Sequence, residues 1–134
     1  SIEFIIFFIC IALFLVLLRK NKDVSIQETI QFIDKAVSVQ NNQIYSDSIR
    51  LNLVEALIPI DSKLASQQFK LLSKPNDDLK SDTYYRYTAR WWFCKSYIEP
   101  QEKLSCLRES ISIFKKAGCI RAAKNLESRL HSFF

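Results

Sequence analysis

The sequence predicts an all-α protein, and three observations predict it. Apolar residues recur at spacings of three and four through most of the chain, which is the helical period rather than the alternation of a strand. Glycine occurs once, at Gly118, so the positive-φ hairpin turns on which all-β folds depend have almost no residue to build them. Prolines are confined to Pro59, Pro75 and Pro100, where they punctuate the periodic stretches instead of interrupting them.

The chain opens on an apolar run, Phe4 to Leu18, which Ile2 extends past Glu3. As a helix, Ile2 to Leu18 measures about 25 Å, at the short end for a bilayer core of about 30 Å. A secretory signal needs basic charge before its apolar core and small residues after it. Here the charges are reversed, with Glu3 before the core and Arg19, Lys20 and Lys22 after it. Residues 1–22 are therefore expected to be a transmembrane anchor with a basic flank, with Phe4, Phe8, Leu13 and Leu18 among its lipid-facing residues. Because basic residues stay on the cytoplasmic side or its organellar equivalent, this single-pass topology puts the N-terminus outside. The domain at residues 23–134 then lies on the cytosolic, stromal or matrix side.

Six short helices are expected in that domain. The first, about 25 to 40, begins with Ser25 and Glu28 in a capping-box spacing and carries Ile26, Ile30, Ile33 and Val37 on one stripe. Asn41-Asn42 breaks it. The second, about 43 to 58, turns Ile49, Leu53, Ala56 and Leu57 inward and ends at Pro59. Asp61 or Ser62 caps the third, whose stripe is Ala65, Phe69 and Leu72 and which stops at Lys74, since a residue before proline is pushed out of the helical region. The fourth, about 81 to 98, holds Tyr84, Tyr85, Tyr87, Trp91, Trp92, Phe93 and Tyr97 over more than half its circumference, which predicts neighbours on two sides. Pro100 starts the fifth, with Leu104, Leu107, Ile111 and Phe114 as its stripe and Gly118 as its C-terminal cap. The sixth, about 119 to 132, carries Ala123, Leu126 and Leu130. Connections this short imply antiparallel neighbours.

Three segments look alike when stacked: TIQFIDKAVSVQNN from Thr29, LASQQFKLLSKPND from Leu64, and EKLSCLRESISIFKKAGC from Glu102. Their offsets of about 35 and about 39 residues fall in the range of helical-hairpin repeats. In the second segment Ala65, Phe69, Leu72 and Pro75 resemble the second helix of a tetratricopeptide (TPR) repeat, and Ile111, Phe114 and Gly118 are similar to another common ending of such repeats. The resemblance covers about 25 to 130. The family's Trp, Leu-Gly and Tyr positions do not occur together in any helix here, so another helical-repeat or bundle arrangement stays open. TPR-like stacking would make the helices at 43–58, 81–98 and 119–132 the first helices of successive hairpins.

The same scarcity of residue types limits chemistry. One glycine excludes the dinucleotide fingerprint and the P-loop, whose backbones must approach phosphate. One histidine, His131, excludes a site with two imidazoles and argues against a Ser-His-Asp triad. Cys94, Cys106 and Cys119 lack paired metal-ligand spacing and read as small buried thiols in a reducing compartment, with Cys10 inside the anchor. Asp77-Asp78 precedes a helix and reads as a cap. No catalytic residue, metal site, cofactor or small-molecule substrate is expected.

Binding residues are expected on the aromatic helix. Arg86 and Arg90, four apart, share a face. The TPR resemblance implies a use for them, since some such domains hold a partner's C-terminal carboxylate with a basic pair on this helix, and Asn52 lies on the preceding equivalent helix. Trp91 and Trp92 point about 100° apart, so one is expected in the core and the other at a partner or a neighbouring helix. Of the formal net charge of +5, residues 80–134 contribute +6 and residues 23–79 contribute −3, which suits contact with acidic protein surfaces or termini. RNA-reading helical repeats place polar specificity residues at fixed positions in every repeat, and no such set recurs here, so nucleic acid is not the expected partner.

An N-terminal anchor before TPR-type hairpins resembles the layout of assembly factors for photosynthetic and respiratory membrane complexes. The expected function is a non-catalytic, membrane-anchored interaction scaffold, an assembly factor or small accessory subunit of such a complex, whose partners are other membrane-complex subunits and, through residues 2–18, the bilayer. A membrane-tethered adaptor or receptor for peptides or targeting segments is the alternative.

Overall fold

A computed structural model of the chain describes residues 26–76 and 82–132, without the side chains of Asp82 and Thr83. The expected anchor at 2–18, its flank Arg19, Lys20 and Lys22, the Ser25 cap and the Asp77-Asp78 turn lie outside the described residues. Six α-helices and one 3-10 turn are present among the described residues, and no strand. They are α1 (Ile26–Ser38), α2 (Gln43–Leu57), α3 (Ser62–Phe69), α4 (Asp82–Ile98), the 3-10 turn Pro100–Glu102, α5 (Lys103–Lys116) and α6 (Ile120–His131). No helix among the described residues is long and apolar enough to cross a membrane. The helices fall into two compact units, one ending at Ser73 and the other beginning at Lys74.

In the first unit α2 packs against both α1 and α3. Ile33 and Ala36 of α1, Ile49, Leu53, Ala56 and Leu57 of α2, and Ala65 of α3 form one buried cluster, with Ile26, Ile30, Val37 and Leu64 partly buried against it. The expected stripes of α1 and α2 therefore face inward. Asn42, which as sequence only interrupts the helical pattern, is the N-cap of α2, its side-chain oxygen accepting from the Ile44 and Tyr45 amides at 3.0 and 3.4 Å. Asp61 caps α3, accepting from the Leu64 amide at 3.1 Å.

Polar groups tie these three helices together. Arg50 of α2 pairs with Asp34 of α1 at 2.9 Å and donates to the Gln68 side-chain oxygen of α3. Arg50 and Gln68 are buried, whereas the Asp34 side chain is about half exposed. One turn earlier on α2, Asp47 is buried and accepts from Gln43 Nε2 at 3.0 Å and from both the hydroxyl and the backbone N–H of Ser73. This second contact accounts for the early end of α3. The sequence extends that helix to Lys74, yet it ends at Phe69, and Leu71 and Leu72 close tighter turns back to Gln68 and Phe69. The Ser73 amide is given to Asp47 instead of continuing the helical ladder, which leaves Leu71 exposed while Leu72 stays buried.

In the second unit α5 packs against α4 and α6. Leu107 and Ile111 of α5 meet Ala123 and Leu126 of α6, with Phe93 of α4, Phe114 and Leu130 partly buried around them. Small side chains line the α4–α5 contact: Ser110 of α5 donates its hydroxyl to the Ala89 carbonyl of α4 at 2.7 Å, and both residues are fully buried. Leu104 departs from its expected stripe and is exposed, because Cys106, Ser110 and Ile113 occupy the buried α5 positions beside Leu107 and Ile111. Gly118 closes α5 at φ +77, with Cys119 N–H bonded to the Phe114 carbonyl and Gly118 N–H to that of Lys115, a Schellman arrangement. A Cβ there would meet nothing within 4 Å, so the left-handed φ alone demands glycine.

Replacing Arg50 by Met leaves the Gln68 oxygen buried without its donor and should cost about 1–3 kcal/mol in chemical denaturation. Asp34→Asn, at the half-exposed end of the same pair, should cost less than about 1 kcal/mol. Burial pushes the Asp47 carboxyl above its ordinary value, against the opposing hydrogen bonds from Gln43 and Ser73. A raised acid penalises the fold once it must ionise, so the parent loses stability relative to Asp47→Asn as pH rises through the carboxylate range. Denaturation midpoints of the two proteins between acid and neutral pH check this, and a difference of opposite sign refutes it.

Candidate functional site

The aromatic helix α4 carries the densest set of interacting side chains in the second unit. Tyr84, Tyr87 and Trp91 are buried, Tyr85, Trp92 and Phe93 are half-buried, and Tyr97 is exposed. Of the two tryptophans it is thus Trp91 that packs inward and Trp92 that a partner can reach. Their rings meet edge to face, 5.1 Å apart at 85°. Lys95, three and four residues further on, lies over both, with Nζ 5.1 Å from the Trp92 ring centre and 5.7 Å from that of Trp91.

Two carboxylates hold this lysine from its other side, Glu102 at 3.3 Å and Glu99 at 3.8 Å. Glu99 follows from helical spacing, whereas Glu102 is brought back by the turn that Pro100 begins. Partial burial works against the charge of Lys95, but Glu102 and Glu99 outweigh it and hold its pKa above the ordinary lysine value. Glu102 is held below its ordinary range by its hydrogen bond with Glu99 and by Lys95. Beside them the Cys106 thiol is pushed up by burial, which keeps it protonated and unreactive at neutral pH.

Phe93 and Tyr97 build a second cluster, edge to face at 5.2 Å. Arg129 of α6 stacks 5.7 Å from the Phe93 ring centre and donates to the Tyr97 hydroxyl at 3.2 Å, while Lys103 sits 5.5 Å over the Tyr97 ring. Aromatic rings and cations therefore alternate at the α4 surface, with Lys95 neutralised by acids and with Lys103 and Arg129 on the rings.

The expected binding residues are distributed as follows. Arg86 is exposed and makes no ion pair with a described residue, whereas Arg90, one turn on, is half-buried. Asn52 belongs to α2 of the first unit and is half-buried. Cys94 and Cys106 are buried and Cys119 is half-buried, all three as free thiols. Among the described residues no His, Cys, Asp and Glu group has the grouping to hold a metal ion. Sequence reasoning passed over Lys95, Glu99 and Glu102, although the Trp-Trp-x-x-Lys-x-x-x-Glu spacing is a legible helix-face signal. No local pattern pairs Arg129 with Tyr97, since 32 residues separate them. Comparison with protein families, curated proteins and solved structures finds no match to this chain.

Lys95→Gln tests the electrostatics of the first cluster. Its loss should raise the titration of Glu102, read by carboxyl NMR. The Glu102 contribution is present above the ordinary carboxylate range and lost as pH falls through the lowered value, and that of Lys95 is lost only as pH rises through its raised value. The stability advantage of the parent over Lys95→Gln should therefore be flat around neutrality and shrink in acid. An unmoved Glu102 titration would show that Lys95 does not lower it.

Proposed function

We propose that this chain is a non-catalytic, membrane-anchored scaffold for protein–protein contact, an assembly factor or small accessory subunit of a multi-subunit membrane complex of photosynthetic or respiratory type. The observation that carries this reading is the uninterrupted apolar run ending at Leu18 and followed at once by Arg19, Lys20 and Lys22, directly ahead of a helical region. On this reading residues 1–22 are the anchor, and the six helices of residues 23–134 stack as TPR-like hairpins on the cytosolic, stromal or matrix side. Packing of each helix on its neighbour in sequence within each unit supports the hairpin arrangement. Anchoring raises the local concentration of the helices near other membrane subunits, so a modest surface suffices for association.

The surface of α4 supplies that contact. Trp92 is partly accessible beside the charged Lys95–Glu99–Glu102 group, and Arg86 is exposed and uncommitted among the described residues, a combination of aromatic and arginine side chains that dominates many interfaces. Trp91 serves by packing behind Trp92.

Purification of the native protein from its membranes in mild detergent, with mass spectrometry of what accompanies it, tests this function. A stoichiometric set of membrane subunits is expected for an accessory subunit and a transient set for an assembly factor. Combined Arg86→Ala and Trp92→Ala substitution should reduce recovery of the set about tenfold or more, as expected when interface hot spots are truncated. Recovery of the chain in an alkaline-washed soluble fraction overturns the anchor. Tight capture of an isolated peptide, with no complex, overturns the scaffold in favour of a receptor.

A further inference from the structure

We propose that the outward face of α6 docks onto the anionic lipid headgroups of the bilayer that anchors the chain, an inference that rests on the anchored reading above. α6 buries Ala123 and Leu126 and partly buries Leu130 against its unit. Its opposite face exposes Arg121 and Lys124, with Asn125 and Ser128 beside them, and Arg129 and His131 are exposed on its two flanks. The one acidic residue of the helix, Glu127, is turned aside and committed to Lys115 of α5, whose hydrogen bond holds its carboxyl below the ordinary range. The exposed side of α6 therefore carries three cations, Arg121, Lys124 and Arg129, and no uncommitted acid. Arg129 contacts the Phe93 ring and donates to the Tyr97 hydroxyl.

The nature of the face selects its partner. Protein interfaces centre on buried aromatic or aliphatic anchors ringed by polar residues. The middle of this face has none, and Ile120, at its first turn, is the exposed large apolar residue of α6. A charged layer of headgroups needs no pocket and no shape complement, only several cations presented together within a Debye length. The twelve residues of α6 give a stripe about 18 Å long, enough to lie along such a layer. Charge segregation adds direction, since residues 80–134 carry +6 and residues 23–79 carry −3, so an anionic leaflet attracts the half that contains α6. On the anchored reading the basic flank Arg19, Lys20 and Lys22 puts the domain on the side of the membrane whose leaflet attracts basic segments.

The test uses the full chain reconstituted into vesicles of phosphatidylcholine, with and without phosphatidylglycerol, doped with a headgroup photocross-linking lipid. Cross-links are mapped by mass spectrometry. Labelling of residues 120–132 should appear with phosphatidylglycerol, vanish at high salt, and fall about tenfold or more in the doubly substituted Arg121→Gln, Lys124→Gln protein, at about fivefold per cation. Both side chains are exposed, and unchanged circular dichroism confirms that the helix persists. Equal labelling of α6 in both vesicles, or labelling that ignores the two substitutions, overturns the proposal. So does native-membrane cross-linking in which α6 is joined to an acidic polypeptide instead of lipid. Failure of the anchor reads differently: the chain then no longer floats with phosphatidylcholine vesicles, and only salt-sensitive flotation with phosphatidylglycerol that the Arg121→Gln, Lys124→Gln pair weakens still reports α6.

Discussion

Short helices do not persist in water by themselves, and every helix described here runs from eight to seventeen residues. Each therefore depends on burying an apolar stripe against the helix next to it in the chain. The central helix of each unit makes this possible. α2 offers buried residues to both α1 and α3, and α5 does the same for α4 and α6. Short connections at residues 39–42, 58–61, 99–102 and 117–119 leave little chain to reach anything further away. Packing between sequence neighbours follows from that constraint.

The two units meet the needs of buried polar groups in different ways. The first uses a guanidinium whose several donors reach two helices at once, Asp34 on one side and Gln68 on the other. It also spends a buried carboxylate, Asp47, on the amide and hydroxyl of Ser73, and so decides where α3 stops. In the second unit a buried serine, not a charge, joins α4 to α5 at Ala89 among the described residues. Ser110 is small enough to let α4 and α5 approach, and its hydroxyl finds a spare lone pair on the Ala89 carbonyl. The Arg50 guanidinium, half exposed at its Asp34 end, ties three helices together, whereas a serine-to-backbone bond is modest and local.

Charge and aromatic surface coincide in the second unit. α4 supplies the rings and Lys95, α5 and α6 supply further cations, and Glu99, Glu102 and Glu127 are drawn to Lys95 and Lys115. Outside those pairs, Arg121 and Lys124 of α6 and Arg86 of α4 are exposed cations. The proposed scaffold beside a membrane would gain from such an arrangement, because paired charges fix local structure while the uncompensated ones act at a distance.

Local rules were enough for the sequence to determine the class, the six helices and most of their buried faces. Ile33, Ile49, Leu53, Leu107, Ile111 and Leu126 announce themselves by spacing alone, and Gly118 and Asp61 by the caps they make, because periodicity and capping involve residues within a turn or two. The proposed binding face was legible only in part: Arg86 by type and spacing, the Trp91–Trp92 pair without a choice between the two, and Lys95 with Glu99 by a helix-face pattern that was there to be read. Tertiary structure decided the rest. It buried Trp91 rather than Trp92, exposed Leu104, ended α3 at Phe69, returned Glu102 to Lys95 through a proline turn, and set Arg129 on Phe93 and Tyr97. Each of these depends on a partner from another element or beyond a turn, and one helix's pattern carries no information about which neighbour fills the space opposite it.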